Sequence, residues 1–140
     1  YFEFVGKVSG MTKEQVEERL KTFETFMGDE IIGKKKYIRD FSAGNKQKIG
    51  IVAALLNSPQ LVILDEPFNF LDPSSQNQLK RILTEFNRST GATVMVSSHN
   101  LQHTVEISTR VALLENGKII EDIDNSDGKA EEILDKYFNV

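Results

Sequence analysis

The sequence predicts an α/β fold: a parallel sheet preceded by a helical segment and closed by a C-terminal β-hairpin, with a helix after it. Three observations carry that expectation. Leu61-Val62-Ile63-Leu64 is an aliphatic run that stops abruptly at Asp65-Glu66-Pro67, too continuous for a half-exposed strand, so it reads as one covered on both faces. Segments of helical periodicity alternate with short apolar runs after it, the pattern of parallel α/β sheets. Asn116-Gly117 between two apolar runs signals a hairpin.

The elements follow in order. Tyr1, Phe2 and Phe4 form an aromatic patch, with Phe2 and Phe4 read as core. A helix starts at Thr12, where Gln15 completes a capping box and Met11 can staple onto Val16. Val16, Leu20, Phe23 and Met27 then recur at helical spacing. Gly28 should end that helix, and a charged connector with Lys34-Lys35-Lys36 runs to Asp40 as a solvated loop. A second helix follows Phe41-Ser42-Ala43-Gly44-Asn45, burying Ile49, Val52, Ala53 and Leu56, and Asn57-Ser58-Pro59 ends it. After the strand and its acids, Asp72-Pro73 caps a helix carrying Leu79, Ile82, Leu83 and Phe86, with Gly91 as its C-terminal cap. Thr93 to Val96 is the next strand and leads into Ser97-Ser98-His99. A short helix over 101–108 precedes the hairpin strands, Val111 to Leu114 and Ile119-Ile120. His103 falls on that short helix as a polar surface residue. A final helix carries Ile133, Leu134, Tyr137 and Phe138.

Composition bounds the function. A chain of 140 residues is one compact unit with room for a small subdomain. With 17 Lys and Arg against 21 Asp and Glu, the net charge of −4 gives no basic field, so no nucleic acid partner is expected. The absence of Cys excludes disulfides and thiolate metal sites and suits a reducing compartment. No stretch approaches a transmembrane span and no signal peptide is visible. Tyr1 stands where a Met would start a chain, so the expectation is that these residues are part of something longer.

Taken singly, Asp65-Glu66 reads equally as a pair of turn acids and Ser42 as a plain helix N-cap. Their order is more specific: Ser42 before a helix, acids at a strand's carboxyl end where such sheets bind ligands, Leu71-Asp72 just after, and His99 ending the next strand. Over most of its length the chain resembles the second half of an ATP-binding cassette (ABC) nucleotide-binding domain. The resemblance makes Ser42-Ala43-Gly44-Asn45 the signature loop, Asp65-Glu66 the Walker B acids, Asp72 part of the D-loop and His99 the switch histidine. It implies a partial P-loop NTPase (RecA-like) sheet, with residues 1–56 as the helical signature subdomain and 57–140 as the later ATPase core.

Physical chemistry suits those roles. Mg²⁺ takes oxygen ligands and keeps several waters, so Asp65 suits it directly or through water. Glu66 can accept the proton of a water attacking a γ-phosphate, and His99 can donate a hydrogen bond to that phosphate. Ser42 and the Gly44 amide, at a helix N-terminus, form an anion site. By resemblance that site serves the ATP of the opposite subunit in a head-to-tail dimer, with Asp72 coupling the two sites.

Three departures from the family pattern stand out. Phe41-Ser42-Ala43-Gly44-Asn45 replaces the usual Leu-Ser-Gly-Gly-Gln, and Phe70 occupies a D-loop position usually held by a small residue. A P-loop requires Gly-x-x-x-x-Gly-Lys followed by Ser or Thr, between strand and helix. Gly28 to Lys34 matches up to the Lys, but Lys35 replaces the hydroxyl residue and a helix precedes it, so it is a decoy. The expected parent is an ATP-hydrolysing, Mg²⁺-dependent transporter subunit. It would sit in the cytoplasm against transmembrane partners, with Tyr1 to Gly10 and Asn45 to Lys48 resembling exporters. The chain alone is expected to bind ATP weakly and, with an exposed sheet edge, to associate. The alternatives are a soluble ABC ATPase of chromosome or ribosome function and a non-catalytic interaction module.

Overall fold

A computed structural model describes residues 1–138. Four helices come first: α1 (Phe2–Val8), α2 (Lys13–Lys21), α3 (Glu24–Met27) and, after a 3₁₀ turn at Ile38–Asp40, α4 (Ala43–Leu55). Strand β1 (Leu61–Asp65) then leads through α5 (Pro73–Thr90) to β2 (Thr93–Ser97). Helix α6 (Leu101–Ile107), the strands β3 (Arg110–Glu115) and β4 (Lys118–Asp124), and α7 (Ala130–Phe138) complete the chain.

Local chemistry sets most boundaries. The Thr12 capping box is formed in both directions and starts α2. Ser42 caps α4, Asp72 caps α5 with Pro73 at its first position, and Gly91 closes α5 in the left-handed conformation. Asn116 and Gly117 both have positive φ, the backbone that a tight hairpin turn demands.

Four expectations change. The aromatic start is a helix, α1, in which Gly6 lies so close to α2 that a methyl group there would come within 2.2 Å of Val16 Cγ2. Phe2, one turn from Gly6, shares that inward face and packs on the core, whereas Phe4 falls on the opposite face and is 68% exposed. The single helix expected to Gly28 breaks at Thr22-Phe23, which allows Phe26 to join Phe23 and Met27 inside. The hairpin does not join β1 and β2 but forms its own antiparallel sheet.

The fourth change concerns β1. It pairs in parallel with β2, Leu61 opposite Thr93 through Asp65 opposite Ser97. Val62 and Leu64 are buried with Leu55 of α4 and Leu79 and Leu83 of α5. The other face is open: Leu61, Ile63 and Met95 are 54%, 64% and 60% exposed. Among the described residues α4 and α5 cover one side of the strand pair only, so a run that reads as buried on both faces is buried on one.

Candidate functional site

The site is built at the carboxyl ends of β1 and β2, where a parallel register sets Asp65 beside Ser97. The Ser97 hydroxyl donates to Asp65 Oδ1 and accepts from the Glu66 amide at 2.9 Å, while the Ser97 carbonyl accepts from the same amide at 3.1 Å. One small side chain on the neighbouring strand therefore fixes both acids. Glu66 itself has φ +49, a conformation that a non-glycine residue holds only where its surroundings over-determine it.

His99 Nδ1 lies 2.9 Å from Glu66 Oε1. An ionised carboxylate only accepts, so Nδ1 carries the proton and Nε2 is left for another partner. The imidazole is 77% exposed and the Glu66 side chain 31%, so an incoming phosphate can reach both. Asp65 is exposed and, among the described residues, hydrogen-bonded only through Oδ1. Asp65 leaves Oδ2 without a hydrogen bond among the described residues and open to water, an oxygen donor of the kind that Mg²⁺ takes beside several waters, so this residue fits the ion.

The signature-like loop stands beside the turn that follows the acids. Ser42 Oγ accepts from the Asn45 amide at 3.2 Å, so this serine is an N-cap whatever else it does. A methyl group at position 44 would come within 2.7 Å of the Phe70 carbonyl oxygen, which makes Gly44 the close-approach point between α4 and that turn. Phe70, with φ +67, is 72% exposed. Ala43 is exposed at the first position of α4, while Asn45 is buried and its side-chain amide donates to Glu30 of the connector at 3.0 Å. No acid occupies the first turn of α4, which suits an anion there. Asp72 accepts from the Ser75 amide at 2.7 Å, and that hydrogen bond holds its carboxyl below the usual carboxylate range. Ser97 thus joins Asp65 to Glu66 and Glu66 joins His99, the Ser42 to Asn45 loop lies against Phe70 of the following turn, and Asp72 stands apart as the α5 cap. Gly28 closes α3, with no strand before it, consistent with a decoy.

His103 departs from its expected surface position. It is half-buried, its ring stacked on Phe68 at 4.6 Å and 25°, because α6 packs against α5. Burial, and then the nearby charge of Lys80, lowers its pKa, and Nδ1 has no hydrogen-bond partner among the described residues. Sequence reasoning missed Ser97 and Gln47. The Gln47 side-chain amide donates to the Glu66 carbonyl at 3.0 Å. Neither residue carries a periodic or capping signal, and both act across long sequence separations.

Comparison with known proteins bears on the family and the fold. Residues 12–105 match a family model described as "AAA domain, putative AbiEii toxin, Type IV TA system". The chain is 32% identical over 120 residues to a methionine import ATP-binding protein of Carboxydothermus hydrogenoformans, covering 85% of this chain and 35% of that protein. It is 33% identical over 122 residues to a bacitracin transport ATP-binding protein of Enterococcus faecalis, covering 84% and 37% respectively. An ABC transporter ATP-binding protein of Bacillus subtilis is 34% identical over 140 residues, with 97% of this chain and 43% of the relative covered. The chain therefore spans well under half the length of these curated relatives. The solved structure of an ATP-binding subunit of an ABC transporter superposes with a TM-score of 0.76 at 25% identity, over 98% of this chain and 56% of that one. A dimeric ATP-binding cassette with ADP and phosphate gives 0.69 at 22% identity, over 81% and 49%, and shares the fold.

Proposed function

The chain belongs to the ATP-binding cassette nucleotide-binding domains, and on that premise we propose that it supplies the hydrolytic acid cluster and the signature loop of an ATPase that drives transport across a membrane. The observation that carries this reading is the Asp65, Glu66 and His99 cluster, held by Ser97 at the strand ends. Residues 1–56 would be the signature subdomain and 57–140 the later part of the ATPase core.

Each residue has a distinct task. Glu66 takes the proton from the water that attacks the γ-phosphate; its fixed backbone and its hydrogen bond to His99 aim the carboxylate. With both ring nitrogens protonated, His99 donates from Nδ1 to Glu66 and from Nε2 to the phosphate oxygens as charge develops there. Asp65 is the residue that would hold Mg²⁺, which when bound supplies neutralising charge to the phosphates. Ser42 and the Gly44 amide receive the phosphate of the ATP on a second cassette in a head-to-tail dimer, and Asp72 joins the two sites.

The chain's only Gly-x-x-x-x-Gly-Lys run is the decoy at Gly28 to Lys34, so these 140 residues alone should bind Mg-ATP weakly. Among the described residues no helix is long and apolar enough to cross a membrane. We place the protein at the cytoplasmic face, docked on transmembrane partners, with export as the proposed direction. Glu66→Gln in the full-length protein tests the core of the reading. Phosphate release should fall about a hundredfold or more while ATP still binds; an undiminished rate removes Glu66 from the chemistry.

A further inference from the structure

We infer that Gln47 is a positioning residue that couples the signature end of α4 to the catalytic acid. The inference rests on the proposed role of Glu66, and its physical basis is the set of ties that hold that residue in a left-handed backbone.

Glu66 is held at three groups. Its amide donates to the Ser97 carbonyl and hydroxyl, its carboxylate accepts from His99, and its carbonyl accepts from the Asn69 amide at 3.2 Å and from Gln47 Nε2 at 3.0 Å. All of these partners except Gln47 come from the strand ends and the turn itself. Gln47 alone comes from the helical segment before β1, and it lies in the second turn of α4, just beyond the Ser42 cap. It is half-buried, so its amide is sheltered from water that would otherwise compete for the carbonyl.

The second contact between the same two elements is steric and involves no hydrogen bond: the close approach of Gly44 to the Phe70 carbonyl. That approach fixes the distance between α4 and the 66–71 turn but does not orient Glu66. The Gln47 hydrogen bond does, because the peptide plane that carries the Glu66 carbonyl also follows the strained φ/ψ pair of that residue. A phosphate drawing on the amides of the first turn of α4 shifts the helix axially. Gln47 passes that shift to the Glu66 backbone and hence to its carboxylate. In this arrangement occupancy of one nucleotide site adjusts the base of the other through a single side-chain amide.

The test uses Gln47→Leu, which keeps the bulk and removes the donor, in the full-length protein. Steady-state hydrolysis should lose about tenfold or more in kcat with KM for ATP within about twofold, since a misplaced base costs rate and not binding. Amide hydrogen exchange should quicken at Asn69 and Leu71, whose amides close the turn, while α4 keeps its protection. A kcat within about twofold of wild type overturns the inference, and so does a loss of kcat accompanied by general loss of protection in α4, which marks a packing role only. If Glu66→Gln retains full activity, the catalytic reading fails on its own evidence. The exchange measurement still decides on Gln47, since faster exchange confined to the turn supports the tie and unchanged exchange removes it.

Discussion

The region that carries the site and the region that follows it are held together by different means. Around β1 and β2, a large apolar cluster runs from Phe23 and Phe26 through Val52 and Leu55 to Leu79, Leu83 and Phe86. Beneath the β3–β4 hairpin the buried cluster consists of Val111, Ala130 and Leu134. There a buried Asn125 does much of the joining: its Nδ2 donates to the Val105 and Ser108 carbonyls at 2.9 and 2.8 Å, and its Oδ1 accepts from the Ala130 amide at 3.0 Å. A large core tolerates imperfect polar geometry at its edge, and so can hold Glu66 on strained backbone beside Asp65. A small one depends on each hydrogen bond.

The largest effect should come from the site-bearing core. Leu79 is fully buried, and Leu79→Ala is expected to cost about 2–5 kcal/mol, read as a shift of the urea midpoint. A loss under about 1 kcal/mol would mean that this core is not the dominant stabiliser. Next comes Asn125→Ala, which strands two carbonyls and an amide and should cost about 1–3 kcal/mol. Hydrogen exchange should show that loss confined to α6, the hairpin and α7. Uniform loosening would break the distinction between the two regions.

The smallest effect probes the helix shared by both. Leu101 and Val105 of α6 pack into the small cluster and Ile107 onto the large one, with His103 between them. Its folded pKa is depressed below 6.5 by burial and by Lys80, against an opposing pull from Glu106. The unfolded chain therefore takes up the proton first. His103 contributes stability that is present above pH 6.5 and is lost as the pH falls through the folded pKa. Urea midpoints at about pH 7.5 and pH 5.5 should converge in His103→Phe, which keeps a ring against Phe68 and cannot titrate. An unchanged pH dependence would remove His103 from the coupling.

Much of the site was legible because its signals are short-range. Ser42, Asp72, Gly91 and Asn116-Gly117 declare caps and turns through hydrogen bonds or φ values spanning a few residues, and Asp65-Glu66 declares itself by ending an aliphatic run. The open face at Ile63 and Met95 was not legible, because an aliphatic run is the same whether one side of the strand is covered or both. Phe4 and His103 were misplaced for a related reason: on helices of seven residues, periodicity is too brief to say which face turns inward.

By itself, then, the sequence determined the order of elements from α4 onward, most of their caps, and which acids and histidine are candidates for the site, since these depend on neighbours along the chain. Only the tertiary structure decided what orients them. The Ser97 to Asp65 bond joins residues 32 apart and the Gln47 to Glu66 bond residues 19 apart. No local periodicity encodes such pairs; they exist once β1 lies in register beside β2 and α4 is packed against the same core.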